Sequence, residues 1–341
     1  MFELQKLVRQ NIWNLKPYSS ARDEFSGKEG IFLDANENPF GTLNRYPDPY
    51  QTELRQALAQ LHHISPENIF VGNGSDEAID LLYRIFCRPS LDKALTFTPT
   101  YGMYEVSANI NEVIFIKLPL NQDFQINIEQ LRDYLNDENL KLIFICSPNN
   151  PTGNLILNID YVLKHFKGIV VLDEAYIDFS DSASWISEIE KYQNLVVLQT
   201  FSKAKGLAAA RVGMAFASRP IVALMHKIKP PYNVSKLNQE AALQALKNRD
   251  ELEKQRQIIL SQRKVLEQAL SDVACIKKIF PSQANFLLIE TTNGPDIYQY
   301  LLNKKIITRN RSTLIQDCIR ITVGTEQENK TLIDALKQYP S

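Results

Sequence analysis

The sequence predicts an α/β fold: a large domain with a mostly parallel central sheet covered by helices, joined to a smaller α+β domain. Short, wholly apolar runs recur along the first two thirds of the chain, where a sheet buried on both faces needs them. Those runs alternate with helices that carry one apolar face, the signature of βαβ connections. A long charged stretch, 235–273, lacks both proline and glycine and reads as a helical connection between domains.

The elements follow in order. Residues 1–45 form an arm rich in Asn, Ser and Pro, part of which is expected to join the small domain; the large domain spans 46–235 and the remainder 236–341. After Tyr50, QTELRQALAQLH has helical period. NIFVG (68–72) is a strand, and NGSDEAIDLLYRIF then places Ala78, Leu81, Leu82 and Ile85 on one helical face, with Ser75, Asp76 and Glu77 in the first turn. ALTFT (94–98), VIFIKL (113–118), KLIFICS (141–147), IVVLDEAY (169–176) and LVVLQTFSK (195–203) complete the apolar series, with a helix near 158–167. The small domain offers strands NFLLIE (285–290) and CIRITV (318–323) and helices around 295–303 and 326–338.

Composition excludes several classes. Thirty-eight basic and 39 acidic residues leave a formal charge of −1, which gives no overall field for nucleic acid or an anionic membrane. No run of 18 apolar residues occurs, and MFELQKLVRQNIWNLKP is too polar for a signal peptide, so a cytoplasmic location is expected. The four cysteines form no CxxC pair, and the four histidines have no metal-ligand spacing. No metal is expected.

In a parallel sheet, ligands bind beyond the carboxyl ends of the strands. Five such ends carry polar residues. Ser75 and Asp76 open a helix whose free N–H groups suit a phosphate. Tyr101 follows the next strand and can face a planar ligand. Asn150 follows in PNNPTG. Asp173 closes IVVL, with Tyr176 three residues on; a carboxylate there needs a cationic or hydrogen-bonding partner. LVVLQ leads to Thr200, Ser202, Lys203 and, further on, Arg211. An amine for an aldehyde, a carboxylate for a ring nitrogen, an aromatic plate and an anion cradle together meet the needs of pyridoxal 5′-phosphate.

The motifs PYSSAR, LDANENPFG, NRYPDP, GNGSDE, TPTYGMY, CSPNNPTG, LDEAY, TFSKAKGLAAARVG, NFLLI and CIRITVG carry a resemblance over nearly the whole chain. They are similar to those of the fold-type I pyridoxal-phosphate-dependent aminotransferases, with ANENP, RYPDP and RITVG narrowing it to the class II branch that acts on histidinol phosphate. That resemblance implies Lys203 as the cofactor-holding lysine, Asp173 as partner of the ring nitrogen, and Asn150 and Tyr176 as donors to the cofactor's phenolate oxygen. It further implies Tyr101 as the stacking ring and Ser75, Asp76, Thr200, Ser202 and Arg211 as the phosphate cradle. Lys203, Asp173 and Tyr176 are the implied catalytic set. Tyr46 is similar to a residue that reaches the neighbouring subunit's cofactor, implying a homodimer with shared sites. Tyr18, Asn150, Arg309 and Arg320 match substrate-binding positions, for histidinol phosphate and for glutamate or 2-oxoglutarate in histidine biosynthesis.

The chain departs from the pattern at Lys205 and Ala209-Ala210, and at ITRNRS, where Asn310 follows Arg309 and leaves Arg311 as an alternative anion ligand. Other readings of the same residues are an aromatic or broad-range aminotransferase, a phosphothreonine-type decarboxylase, a Ser202-Lys203 hydrolytic dyad, and a non-catalytic protein that retains the cofactor fold.

Overall fold

The computed structural model describes residues 3–19 and 30–340; the Ser20–Arg22 part of the PYSSAR motif lies outside them. A seven-stranded sheet forms the centre of the large domain. Its strands are β1 (Ile69–Asn73), β2 (Lys93–Thr98), β3 (Ile114–Pro119), β4 (Leu140–Cys146), β5 (Ile169–Asp173), β6 (Leu195–Thr200) and β7 (Val212–Ala217). They lie in the order β1-β7-β6-β5-β4-β2-β3, and β7 alone runs antiparallel to its neighbours.

The unbroken apolar runs are explained by burial on both faces. On β5, Val170 and Leu172 enter one hydrophobic core while Ile169 and Val171 enter the other. Adjacent β4 and β6 divide the same way, Ile145 and Val197 lying beside Leu172, and Phe144 and Val196 beside Val171. Period-two alternation thus sends the strand's last residue, Asp173, toward the face that carries Val171. That face is covered by the helices Ser75–Phe86 and Met103–Ile110.

Four further strands, β8 (Ile276–Phe280), β9 (Phe286–Thr291), β10 (Arg309–Asn310) and β11 (Cys318–Thr322), make an antiparallel sheet in the order β10-β11-β9-β8. Leu287 and Ile289 of β9, with Ile319 and Ile321 of β11, pack under helices that contribute Leu266, Ile297 and Leu332. The alternate residues, Phe286 and Arg320, occupy the opposite face, and Phe286 packs with Tyr176, Phe179 and Ala204 of the large domain. One sheet therefore buries its own core on one side and presents an arginine to the large domain on the other.

The connecting stretch is two helices, Lys236–Lys247 and Arg249–Ser271, broken at Asn248. Each serves a different core: Ala242 and Leu246 pack on the large domain, Leu266 and Leu270 on the small one. The arm also differs from an irregular segment. Short helices Leu4–Leu7 and Gln10–Trp13 place Val8 in the large domain's core, with Leu4, Leu7 and Ile12 against it. The Arg9 amide donates to the Ile85 carbonyl at 2.9 Å, and Lys227 reaches the Trp13 carbonyl at 2.7 Å. No helix among the described residues is long and apolar enough to cross a membrane.

Candidate active site

A cleft opens at the carboxyl ends of β4, β5 and β6, lined by Ser75, Asp76, Tyr101, Cys146, Asn150, Asp173, Ala175, Tyr176, Thr200, Ser202, Lys203 and Arg211. The strand-end residues singled out from the sequence converge here within one chain.

Its end beside Ser75 and Arg211 is built by close backbone approach. Helix Ser75–Phe86 begins at Gly74, whose φ of +77° only glycine adopts readily. A Cβ at Gly74 would stand 2.7 Å from Arg211 Nη2, and one at Gly213 of β7 would stand 2.1 Å from the Ser75 amide nitrogen. Both glycines therefore let the helix start lie close against β7 and Arg211. Arg211 itself is left-handed, at φ +50°. Its guanidinium pairs with Asp76 at 3.3 Å and donates to Ser202 Oγ at 3.4 Å. Thr200 Oγ1 donates to Ser202 Oγ and accepts from the Ser202 amide, both at 3.0 Å. Hydroxyls, helix amides and a guanidinium thus share one small volume.

Asp173 forms the floor and is 2% exposed. Tyr104 Oη donates to its Oδ2 at 2.7 Å and the Ala175 amide donates to Oδ1 at 3.0 Å. Burial raises its carboxyl above the usual range despite these donors, and Asp76 adds to the rise while Lys203 opposes it. Neighbouring Glu174 belongs elsewhere: it accepts from Ser184 Oγ, the Trp185 amide at 2.8 Å and Gln199 Nε2 at 3.0 Å, in a closed network where burial pushes its carboxyl to about 7.

Lys203 opens to the cleft mouth, with Nζ 5.5 Å from the Tyr176 ring centroid. Surrounding protein lowers its ammonium pKa first, then Arg320 and Arg211; Asp173 and Asp76 act in the opposite sense. Tyr176 packs edge-on against Phe286 at 5.1 Å, and burial holds its phenol neutral. Tyr101 lies on the cleft wall, its hydroxyl on Asp76 at 3.1 Å.

The small domain closes one side. Arg320 Nη1 donates to Asn150 Oδ1, and its guanidinium lies 5.1 Å from the Phe286 ring. Asn149 holds the turn beneath by accepting from Thr100 Oγ1 at 2.9 Å and donating to Thr152 Oγ1 at 2.7 Å. Arg309 is exposed and sits opposite Arg320 in register. Arg311 is half-buried, and burial followed by Arg320 and Arg309 lowers its pKa to about 10. The Nε atoms of Arg311 and Arg320 are buried donors without an acceptor. Two neighbouring guanidiniums thus each keep a buried donor that an anion could meet.

Two sequence candidates lie outside this cleft in the single chain. Tyr46 stacks on Tyr232 at 4.3 Å, and Tyr18 borders a separate hollow with Tyr50, Lys229 and Tyr232. Sequence reasoning passed over Tyr104, Gly74, Gly213 and Phe286. Tyr104 stands three residues after Tyr101 in TYGMY, so one helical turn could have linked them. Among the described residues no group of His, Cys, Asp or Glu could hold a metal ion, and all four cysteines are buried free thiols.

The profile of the family described as aminotransferase class I and II matches residues 27–336. The chain is 52% identical to the histidinol-phosphate aminotransferase of Cytophaga hutchinsonii, with 99% of each chain covered. Its structure is similar to that of the histidinol-phosphate aminotransferase from Clostridium acetobutylicum, with a TM-score of 0.79 at 27% identity over 86% of this chain and 90% of that one. The Sinorhizobium meliloti histidinol-phosphate aminotransferase, solved in complex with pyridoxal-5′-phosphate, shares the fold at a TM-score of 0.78 and 24% identity, over 89% of each chain.

The buried Asp173 generates a prediction about the unliganded protein. Its folded pKa lies above its unfolded value, so the folded chain keeps the proton longer as pH rises. Stability is therefore lost from about pH 4, the unfolded pKa, up through the folded pKa, and the full penalty remains above it. Asp173→Asn should stabilise the unliganded protein at pH 7 by about 1 kcal/mol, within the cost of burying an incompletely compensated polar group. Urea unfolding at pH 7 checks this, and a destabilised variant would contradict it.

Proposed function

The chain belongs to the class I and II aminotransferase family, and we propose that it uses pyridoxal 5′-phosphate to move an amino group from histidinol phosphate to 2-oxoglutarate, and back in the reverse direction. The observation that carries the reading is the convergence of Lys203, Asp173, Arg211 and Arg320 on one cleft. The fit to the cofactor rests on chemistry present in the cleft. Gly74 and Gly213 bring the helix amides and Arg211 together, Asp173 offers a buried carboxylate, and Lys203 offers an amine biased toward its neutral form.

When bound, the cofactor supplies an electron-accepting ring that carries the amino group between donor and acceptor. The residues of the chain would divide the remaining work. Ser75, Asp76 through its backbone, Thr200, Ser202 and Arg211 would hold the phosphate. Asp173 would face the ring nitrogen and favour its protonated form. Asn150 has given its Oδ1 to Arg320, so its Nδ2 remains to donate, and with the neutral Tyr176 hydroxyl it would hold the phenolate oxygen. Tyr101 would cover the ring face. Lys203 would anchor the cofactor and then, as a neutral amine, take the proton from the substrate's α-carbon.

Substrate choice rests on the arginines. Histidinol phosphate carries a phosphate and glutamate a carboxylate, so one site must serve differently shaped anions. Arg320 meets either with a bidentate fork, and its loss of solvent around Phe286 strengthens that contact. Arg309 shares its face by register, and Arg311 adds a half-buried donor beside it. A decarboxylase would need no amino acceptor and would release CO₂, so the product separates the two readings.

We further propose a homodimer in which Tyr46 and Tyr18 complete the neighbouring subunit's site. Both lie away from their own chain's cleft, and the same N-terminal segment exposes Ile31, Leu33 and Phe40, apolar side chains a second copy would cover. Cytoplasmic residence fits the buried free thiols.

Purified protein loaded with cofactor and given histidinol phosphate and 2-oxoglutarate should form glutamate; no glutamate here, with CO₂ released from a phosphorylated amino acid such as phosphothreonine, would contradict the assignment. Arg320→Ala should raise the substrate KM by tenfold or more (about 1.4 kcal/mol) while cofactor remains bound, and loss of cofactor instead would move Arg320 out of the substrate site. Sedimentation equilibrium should give twice the chain mass of 39.0 kDa; a single-chain mass would sink the shared-site proposal.

A further inference from the structure

Tyr104 lies behind the cleft wall, fully buried, on the helix that follows Tyr101. Its ring is clamped. One face stacks on Phe144 at 4.9 Å, and Tyr101 approaches edge-on at 5.5 Å. Its backbone carbonyl accepts from Tyr83 Oη at 2.8 Å. The phenol oxygen is therefore fixed in space before any ligand arrives, and its proton goes to Asp173 Oδ2 at 2.7 Å. The Ala175 amide holds Oδ1 at 3.0 Å. Each carboxylate oxygen thus has one rigid donor, which leaves the remaining lone pairs for the cleft.

We infer that Tyr104 is a positioning residue for cofactor binding, its hydroxyl holding Asp173 ionised and aimed into the cleft so that a protonated ring nitrogen finds a charged partner. This rests on the reading of Asp173 as the nitrogen's partner. A carboxylate in this place has competing influences. Burial and Asp76 favour the protonated acid, whereas Tyr104, the Ala175 amide and Lys203 favour the anion. Cys146 on β4, with Tyr101 and Tyr176, faces the same carboxylate, and all three stay neutral because burial raises their pKa values. Among the neutral groups around it, Tyr104 is the side chain that donates to the carboxylate. Removing that donor leaves the ring packing intact and shifts the balance toward the acid, which cannot pair with a protonated nitrogen.

The test is a double-mutant cycle read by pyridoxal 5′-phosphate titration of the unliganded protein across pH. Tyr104→Phe should weaken cofactor binding about tenfold at pH 7, and the acid side of the affinity profile should move to higher pH. In an Asp173→Asn background the same substitution should change affinity less than twofold, because its effect passes through the carboxylate. Equal weakening in both backgrounds would make Tyr104 a packing residue and overturn the inference. So would an unmoved affinity and pH profile. Asp173→Asn binding as tightly as the native chain would instead remove the reading of Asp173, and this inference with it. Should Tyr104→Phe fail to fold, 3-fluorotyrosine placed at position 104 keeps the ring's shape and donates more strongly; the acid side should then move to lower pH, and an unmoved profile overturns the inference.

Discussion

The architecture turns on one buried carboxylate. Asp173 ends the central strand of a sheet whose neighbours are apolar on both faces, and all but its cleft-facing edge is buried. A charge in that position persists only where fixed donors and a cation oppose burial. Tyr104, the Ala175 amide and Lys203 are those opponents, each supplied by a different segment. Glu174, one residue later, shows the alternative: a carboxyl enclosed by three donors and turned away from the cleft. Adjacent acids of like chemistry are thus divided between function and structure by which way the chain turns after β5.

The same logic of alternation governs the small domain. Its sheet has two faces, and period two assigns Leu287, Ile289, Ile319 and Ile321 to a core while Phe286 and Arg320 face the cleft. An arginine on a strand is ordinarily a solvated side chain. Here the large domain supplies Asn150 and Tyr176 opposite it, so the guanidinium spans the domain boundary. Arg263, donating to the Ala284 carbonyl at 2.7 Å, and the Gln283 amide, donating to the Gly153 carbonyl at 2.7 Å, tie the β8–β9 connection to its surroundings on both sides. The break at Asn248 gives each half of the connecting segment its own hydrophobic partner, and these polar contacts hold the domains together with the packing of Phe286 on Tyr176, Phe179 and Ala204.

Much of this was legible in the sequence for a specific reason. An apolar strand that stops at a polar residue announces both the sheet and its ligand edge, which is why Ser75, Asn150, Asp173 and Lys203 could be collected without coordinates. Other features leave no such mark. Tyr104 reads as a core aromatic because its function depends on a partner 69 residues away. VGMAFA of β7 follows a loop and carries alanine, methionine and glycine in place of β-branched residues, so its strand character comes from pairing with β1 and β6. The need for glycine at 213 arises from the Ser75 backbone against it. Arg311 is distinguished from Arg309 by burial, a tertiary property. Tyr46 and Tyr18 lie apart from the cleft in one chain, so motif similarity gives them a role that a single subunit does not.

The most direct test is to load the protein with pyridoxal 5′-phosphate, treat it with borohydride to make the lysine linkage permanent, and map the attachment by peptide mass spectrometry. The account predicts a single modified peptide carrying the label on Lys203. A label on another lysine, or amino-group transfer by a chain lacking the Lys203 amine, would contradict it.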